Sequence, residues 1–255
     1  RSGCSDYSPI KAVTVSDASG PASGIKAPQT PVMASVAERI SEAEIRATAQ
    51  AGLTSGAFRV TETGAASYSL PILTAAGTAG VAPELSLGYS SSGGNGLVGV
   101  GWQIGGISSV SRCRQTLHQD GQSLPISWSE ADRFCLDGQR LIVQGGATYG
   151  AVGAEYKTEL DQYARITSLG GSLGHPAQFK IERKDGSTSY YGTAPGSGEQ
   201  DAKQVVETAA GSATLSWNLK RFNDSVGNPI WYSYYNDSHG HRIHQVRYAY
   251  GDRRG

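Results

Sequence analysis

Apolar residues that recur at every second position constrain the fold of this chain more than any other feature of its sequence. From about Gly56 onward, short alternating stretches follow one another with no helical period between them. A period of two is the pattern of strands whose side chains point alternately to the two faces of a sheet. The sequence therefore predicts an all-β fold of many short antiparallel strands and hairpins. The alternating sets are Phe58 and Val60; Tyr68, Leu70 and Ile72; Leu85, Leu87 and Tyr89; Tyr156, Thr158 and Leu160; Leu215, Trp217 and Leu219; Ile230, Tyr232 and Tyr234; and Val246, Tyr248 and Tyr250.

Turn-forming residues separate these stretches and set where the hairpins lie. Asp137-Gly138 stands between two short apolar runs, and Asp185-Gly186 stands between two more, which predicts tight hairpins at both places. With 34 Gly and 13 Tyr in 255 residues, the composition also favours short strands and frequent turns over long helices. The Gly-, Ser- and Pro-rich stretch from Ala194 to Ala202 is predicted to be a surface loop.

The first 55 residues differ from the rest of the chain and predict a flexible, linker-like segment with one short helix. The segment is rich in Ser, Ala, Pro, Thr and Gly, which bury too little apolar surface to offset chain entropy. Within it, residues 35–51 are the helical candidate, because Ser41 and Glu44 fit a capping box and Gly52 fits a C-terminal stop. The β-domain then occupies residues 56–255.

The charge balance argues against nucleic-acid binding, and the apolar pattern argues against a transmembrane helix. The low charged content indicates an exported protein. The 22 Lys and Arg residues equal the 22 Asp and Glu residues, and no basic block supplies the positive field that nucleic-acid binding needs. No run of 18 apolar residues is present to form a transmembrane helix. Charged residues make up 17% of the chain, below the roughly 25% of a usual soluble domain. This composition predicts a secreted or cell-surface-associated protein.

The three cysteines, Cys4, Cys113 and Cys135, leave two interpretations open. An odd number gives no closed disulfide framework. Cys113 and Cys135 lie 22 residues apart in predicted strands, so they either pair in an oxidising compartment or remain two partly buried thiols.

The string Gly94-Asn95-Gly96-Leu97-Val98-Gly99 is a literal G-x-G-x-x-G, the fingerprint of a dinucleotide-binding loop. That loop needs a helix after it, because the pyrophosphate is held at the helix N-terminus. Here the following residues include Gly101, Gly105 and Gly106, which disfavour a helix. We therefore predict no cofactor. The residues from Gly93 to Gly96 are predicted to form a turn between strands. Gly99 and Gly101 are predicted to let the backbone bend or approach a neighbouring strand, with Trp102 packing nearby.

The other candidate sites each lack part of the pattern that their chemistry requires. An ADP-ribosyltransferase needs Ser-Thr-Ser followed by Glu-x-Glu, but Ser187-Thr188-Ser189 comes after the only Glu-x-Glu, Glu42-Ala43-Glu44. The sequence thus predicts that the chain is not an enzyme and has neither catalytic nor metal-binding residues. The histidines that could ligate zinc with Asp237 are His239, His241 and His244, which fall in a predicted turn and the strand after it.

Two further residue sets have both a structural and a functional interpretation. Glu155, Glu159 and Asp161 would share one face of a strand, either as paired carboxylates of a glycosidase or, as we favour, as a solvated strand face. An aromatic set could form a sugar-stacking platform or, as we favour, pack within the sheet. This aromatic set is Trp217, Trp231, Tyr232, Tyr234 and Tyr235.

Long motifs in the predicted β-domain resemble the SpvB-type N-terminal domain, which opens the B component of insecticidal Tc toxin complexes and the SpvB virulence protein. The likeness runs from about Gly56 to Gly255. Its strongest parts are "GTAGVAPELSLGYSSSGGNGLVGVGWQIGGISSVSRC" at 77–113 and "DRFCLDGQRL" at 132–141. The tail, from about residue 222 to 255, resembles the start of the tyrosine-aspartate (Rhs/YD) repeats.

The resemblance implies a structural function rather than a catalytic one. In Tc toxins this domain is part of a β-strand shell that encloses a cytotoxic C-terminal region and docks onto a pore-forming component. The expected partners are therefore the remainder of the same toxin polypeptide or complex: the YD-repeat shell, the C-terminal toxin and the pore-forming component. The alternative is a surface-exposed carbohydrate- or receptor-binding β-module that uses the aromatic strands between residues 215 and 235.

Overall fold

The computed structural model describes residues 55–197, 202–209, 211–237 and 240–249. Nearly all regular structure in these ranges is strand, and the strand pairs are antiparallel, which confirms the predicted all-β fold. The helix predicted over residues 35–51 and nearly all of the linker-like segment lie outside the described residues. No described helix is long and apolar enough to cross a membrane. The first strands are β1 (Ala57–Val60), β2 (Ala66–Ile72), β3 (Leu85–Ser90), β4 (Asn95–Gly96), β5 (Gly99–Val100), β6 (Trp102–Gly105) and β7 (Ser109–Cys113), with a short 3-10 helix at Thr78–Gly80.

The later strands build most of the second and larger sheet. A single four-residue helix, α1 (Leu117–Asp120), precedes them in the described part of the chain. Strand β14 was not predicted, because its sequence, Lys203 to Thr208, has only a weak alternation. These strands are β8 (Arg133–Leu136), β9 (Gln139–Val143), β10 (Glu155–Thr158), β11 (Ala164–Ser172), β12 (His175–Arg183), β13 (Thr188–Tyr191), β14 (Lys203–Thr208), β15 (Gly211–Asn223), β16 (Pro229–Asp237) and β17 (Gly240–Arg247).

The larger sheet closes into a barrel of eight strands, and β15 is the strand that closes it. Strands β7 to β13 pair in sequence order, and β15 then pairs with both ends of that series. One part of β15, Ser216 to Asn218, pairs with β7, and the next part, Leu219 to Asn223, pairs with β13. The first half of β15 carries β14, and its end carries the β16–β17 hairpin. The barrel accounts for the predicted shell-like arrangement of short strands.

Both predicted tight hairpins are confirmed, and two other local predictions are wrong. Asp137 and Gly138 have φ of 48° and 82°, the left-handed conformation that a two-residue hairpin turn needs. Strand β10 ends at Thr158, because the Thr158 hydroxyl donates to the Leu160 carbonyl at 2.7 Å and the chain turns there. Leu160 is therefore exposed instead of continuing the strand. The loop predicted from Ala194 to Ala202 is not entirely on the surface, since the alanines at both of its ends are buried.

Aromatic side chains fill the barrel interior. The rings of Phe134, Phe179 and Trp217 contact one another edge to face, with centroids 5.2 to 5.5 Å apart. The Trp217 indole N–H donates to the Pro176 carbonyl at 2.9 Å, so its one polar group is satisfied within the core. An eight-stranded barrel has an interior that side chains alone can fill. The large fully buried hydrophobic residues of the described chain are Val110, Phe134, Leu141, Tyr156, Ile166, Phe179, Ile181, Tyr191 and Trp217.

A buried ion pair between Arg112 and Asp132 stands beside this aromatic core. Arg112 Nη1 lies 3.1 Å from Asp132 Oδ2, and both side chains are almost completely buried. The guanidinium also donates to the Thr214 and Gly174 carbonyls, each at 2.8 Å, and lies over the rings of Phe134 and Trp217. Burial lowers the pKa of Arg112, and the Asp132 charge and hydrogen bond oppose that shift.

Cys113 and Cys135 form a disulfide between the neighbouring strands β7 and β8. Their Cα atoms lie 6.0 Å apart, within the range that a disulfide bridges. Of the two alternatives that the sequence left open, the structure has the paired one.

Replacing Arg112 with Met should destabilise the barrel, because Asp132 would stay buried without its cationic partner. Loss of one member of a buried pair costs about 3–5 kcal/mol. Urea denaturation followed by tryptophan fluorescence measures the change in the free energy of unfolding. The control is Arg165→Met, which removes an exposed pair with Glu182 and should cost about 1 kcal/mol or less. Equal costs for the two variants would contradict the importance given to the buried pair.

Candidate functional site

The Gly-rich loop at residues 93–101 does not have the geometry of a dinucleotide site. Its two short strands, β4 and β5, pair with each other, and Leu97 and Val98 form the turn between them. The element that follows is strand β6, not a helix. The predicted absence of a helix after the G-x-G-x-x-G string is confirmed, so the loop offers no helix N-terminus to a pyrophosphate. The turn itself lies two residues later than predicted, because Gly96 takes part in the β4–β5 ladder.

Two of the loop glycines are required for different reasons. Gly101 has φ of +77°, and a Cβ there would lie 2.6 Å from the Ser90 carbonyl oxygen and 2.7 Å from the Tyr89 ring. The predicted close approach is therefore confirmed at Gly101. At Gly99 the close approach is absent, since the nearest atom to an added Cβ, on the Trp102 ring, is 4.0 Å away, and glycine is favoured there by its backbone conformation, with φ of +122°.

The small sheet that contains this loop has one apolar and one polar face. Its strands pair in the order β1-β2-β3-β6, and directly paired residues project from the same face. One register line joins four rings across the sheet, and we call it the aromatic row: Phe58, Tyr68, Tyr89 and Trp102. A second line on the same face joins Leu70, Leu87 and Ile104, whereas the opposite face carries Arg59, Ser67, Ser69, Ser86, Gly88, Ser90 and Gln103.

The apolar face of the small sheet is only partly buried within the described chain: Tyr68, Tyr89 and Trp102 are half-buried, and Phe58 on the edge strand is exposed. None of the residues in β1, β2, β3 and β6 is buried, and Phe58 and Val60 are 66% and 62% exposed. An apolar surface that spans four strands is unusual on a free-standing domain and is typical of interaction sites. The face is therefore the strongest candidate for a functional surface in this structure.

The larger sheet ends at a second candidate surface, the outer edge of β17. Among the described residues, β17 pairs only with β16, so its other edge is open to a further strand. The outward face of this hairpin carries Trp231 beneath the Arg221 guanidinium, at 4.7 Å, and Tyr235 beneath that of Arg242, at 4.8 Å. Each of these two rings remains partly accessible, but each already makes a cation–π contact with an arginine.

The aromatic set proposed from the sequence divides between the core and this outward face. Trp217, Tyr232 and Tyr234 are buried, which confirms the packing interpretation for these three residues. Burial raises the pKa of the Tyr232 hydroxyl to about 12. Only Trp231 and Tyr235 remain for a possible ligand.

The residues considered for catalysis or metal binding are not brought together. Ser187 and Ser189 are buried at the start of β13, where the Ser189 hydroxyl accepts a hydrogen bond from Arg183, so the hairpin interpretation of Ser187-Thr188-Ser189 is confirmed. Glu155 lies on β10, but Glu159 and Asp161 follow its end, so the predicted shared strand face of these carboxylates is wrong.

The histidines near the end of the described chain also lie apart. His241 stacks on Tyr234 and His244 contacts Tyr235, with ring centroids 5.0 and 4.1 Å apart. Because Tyr234 and Tyr235 are consecutive in a strand, they project from opposite faces. The two imidazoles therefore do not converge, and His239 lies outside the described residues.

The matching family model and the matching curated proteins point to the same family. The family model described as Salmonella virulence plasmid 65kDa B protein, SpvB, matches residues 60–253. The mono(ADP-ribosyl)transferase SpvB of Salmonella typhimurium is 27% identical over 187 residues, which cover 67% of this chain and 30% of that protein. The chain therefore spans less than a third of the length of this curated relative.

Solved Tc toxin structures share the fold. The crystal structure of TcdB2-TccC3 superposes with a TM-score of 0.58 at 24% identity and covers 76% of this chain and 10% of that chain. The Photorhabdus luminescens Tc holotoxin pore gives a TM-score of 0.57 at 23% identity, with 77% and 10% covered. The resemblance that the sequence motifs indicated is thereby confirmed.

Substitution of Gly101 by Ala should destabilise the small sheet, because a Cβ would meet the Ser90 carbonyl oxygen in a backbone conformation that Ala rarely adopts. We expect a loss of more than about 1 kcal/mol in the free energy of unfolding, measured by urea denaturation. Gly94→Ala is the matched control, since nothing lies within 4 Å of a Cβ there. A Gly101 variant as stable as the Gly94 variant would show that the close approach is not a constraint.

Proposed function

The chain belongs to the SpvB family, and on that premise we propose that it is a non-catalytic structural module of a bacterial toxin of the Tc/Rhs type. In this proposal the module forms part of a β-strand shell that encloses a C-terminal toxic domain and helps to deliver it. The family match over residues 60–253 and the fold shared with Tc toxin components support the class of protein. The structural function is inferred from the surfaces of the chain itself.

The observation that carries the proposal is the incompletely buried apolar face of the small sheet. A sheet in a shell buries one face against the rest of the assembly and leaves the other face wet, which is the division seen here between the aromatic row and the serine-rich face. The open edge of β17 supports the same inference, because its unpaired backbone groups can pair with a further strand. The barrel, in contrast, already has a complete aromatic core.

We propose that catalysis by proteins of this family resides outside the portion represented here. The curated relatives are named for mono(ADP-ribosyl)transfer, but this chain matches only 30% of their length. Its one Ser-Thr-Ser string lies in a buried hairpin strand with Ser189 bonded to Arg183. We place no catalytic, cofactor-binding or metal-binding residue in this module.

The proposed partners follow from the two surfaces. The apolar face would bury against the remainder of the same toxin polypeptide, and the edge of β17 would continue into YD-repeat strands, with a pore-forming component as the docking partner of the finished shell. The segment from about residue 222, which includes β16 and β17, would be the entry into those repeats. Export from the producing cell, as a secreted or surface-associated protein, fits this function.

The aromatic row can be tested in the polypeptide that naturally carries this chain. Phe58→Ser should weaken packing of the small sheet against the rest of the shell, so that limited proteolysis cuts the enclosed region about ten times faster, equivalent to about 1.4 kcal/mol. In the isolated chain the same variant should keep its stability within about 0.5 kcal/mol, because Phe58 is largely exposed there.

The matched control is Arg59→Ser, which changes an exposed residue on the opposite face of the same strand. It should leave both proteolysis and stability unchanged. If Phe58→Ser also leaves the enclosed region protected, the apolar face is not a shell contact and the proposed function loses its main support.

A carbohydrate- or receptor-binding module is the second candidate, and the accessible rings of Trp231 and Tyr235 are the observation that favours it. If it is correct, a glycan array should show specific binding by the isolated chain, and Trp231→Ala should reduce that binding at least tenfold without unfolding the barrel. The buried Trp217, Tyr232 and Tyr234 cannot contribute. We expect no such binding, and specific, Trp231-dependent binding would overturn the purely structural interpretation.

A further inference from the structure

The Cys113–Cys135 disulfide lies on the outside of the barrel, at the wall of a cavity. Val110, Arg112 and Phe134 point into the barrel, so the alternating residues Cys113 and Cys135 point outward. The cavity has a volume of about 560 Å³ and is open to solvent. Cys113 is half-buried and Cys135 is buried, so Cys113 is the more accessible residue of the two. Other residues that line the cavity include Arg114, His118, Arg140 and Glu159.

Cationic side chains surround this disulfide. In the strand register, Cys113 is directly paired with Arg133, and Cys135 is directly paired with Arg140. Such pairs have Cβ atoms about 4.5–5.5 Å apart, so each cysteine has an arginine as its direct neighbour across the strands. A single carboxylate, Asp120, binds both Arg133 and Arg140, at 2.9 and 2.6 Å.

The positive charge at the cavity exceeds the negative charge. Burial alone would raise the pKa of Asp120, but hydrogen bonds from the Thr116 N–H, Arg140 and Arg133 lower it below its ordinary value. Asp120 is thus a permanent anion at neutral pH, yet it balances only one of the two arginines. Arg114, exposed at the rim, adds a further cation, and Glu159 adds one anion. The surroundings of the disulfide favour thiolates over thiols.

We propose that this cavity is a thiol-exchange site, at which a small thiol carrying carboxylates, of the glutathione class, reduces the Cys113–Cys135 disulfide in the folded protein. Arg114 attracts the carboxylates of the incoming thiol. The Cys113 sulfur takes the attack, and Arg140 stabilises the thiolate that leaves on Cys135. The inference does not depend on the function proposed above, because it rests only on the disulfide and its surroundings.

The exchange takes place in two balanced steps. The thiolate of the first small molecule attacks Cys113 Sγ, the sulfur–sulfur bond breaks, and its electron pair goes to Cys135 Sγ. A second thiolate then attacks the small-molecule sulfur of the mixed disulfide and releases Cys113 as a thiolate. The two small thiols are oxidised to their disulfide, the protein disulfide is reduced to two thiols, and the two protons go to the cysteines or to solvent.

The barrel should survive this reduction. Strands β7, β8 and β9 remain paired through their ladders, and Asp120 still binds β8 and β9 through Arg133 and Arg140. The disulfide is therefore a removable link on an intact fold, accessible to the thiols of a reducing compartment.

The test compares an anionic thiol with a neutral one under native conditions. Reduction by glutathione and by 2-mercaptoethanol would be followed by maleimide labelling and mass spectrometry in a Cys4→Ser background, so that the label reports only this pair. We expect both rates to rise in proportion to thiol concentration. Arg114→Gln should slow glutathione about threefold or more and leave 2-mercaptoethanol unchanged within about twofold, because only the charged thiol is steered.

Two controls keep the result decisive. Arg165→Gln removes an exposed arginine from β11, far from the disulfide in the strand order, and should change neither rate. Added salt should slow glutathione in the wild-type protein and not 2-mercaptoethanol, which tests the charge effect without any substitution. A rate that levels off with thiol concentration at the rate of global unfolding would overturn the proposal. An equal effect of Arg114→Gln on both thiols would overturn it as well.

Discussion

The buried guanidinium of Arg112 is the interaction on which the rest of the barrel depends. An arginine cannot become neutral at physiological pH, so every one of its donors needs a partner once it leaves water. Arg112 obtains these partners from distant parts of the chain: the Asp132 carboxylate before β8, the Gly174 carbonyl in the β11–β12 turn and the Thr214 carbonyl in β15. A shift of any of these segments by one residue would remove one of the partners of the buried guanidinium. The cation therefore fixes the relative positions of segments that lie far apart in the sequence. The aromatic core packs around it.

The two larger sheets of this chain differ in how far their apolar residues are buried. The barrel closes on itself through β15, so its inward residues are covered by its own strands and its core is complete. The small sheet has the same alternation of apolar and polar residues, yet none of its residues is buried within the described chain. A half-buried aromatic face gains further apolar burial when another surface covers it. The barrel supplies the stable body of the module, and the small sheet is the part whose sequence is suited to a larger assembly.

Much of the fold could be predicted because its hairpins are local. The alternation and the Asp-Gly turns place β8–β9 and β12–β13 correctly, since a short hairpin turn, of two residues in β8–β9 and longer in β12–β13, determines both the pairing and its register. The closure of the barrel could not be predicted, because β15 pairs with strands about 30 and 100 residues earlier, and no local pattern specifies such partners. The position of Arg112 was implicit in the period of two, since it shares a face with Val110. A charged residue on an apolar face is nevertheless usually taken as a strand end unless its partner is known.

The candidate surfaces were harder to predict than the strands for a related reason. The apolar residues of β1, β2, β3 and β6 are visible in the sequence, but their alignment into one row requires the register between strands, which a one-residue slip would reverse. Exposure is a further property that alternation cannot give, because an alternating strand is equally consistent with a covered and an uncovered apolar face. The G-x-G-x-x-G string would suggest a site that does not exist. All residues of the motif are present, but a strand follows it instead of the helix that would hold a pyrophosphate. What distinguishes a site from a pattern in this chain is the neighbour across the strand: the Ser90 carbonyl oxygen beside Gly101, and the arginine beside each cysteine of the disulfide.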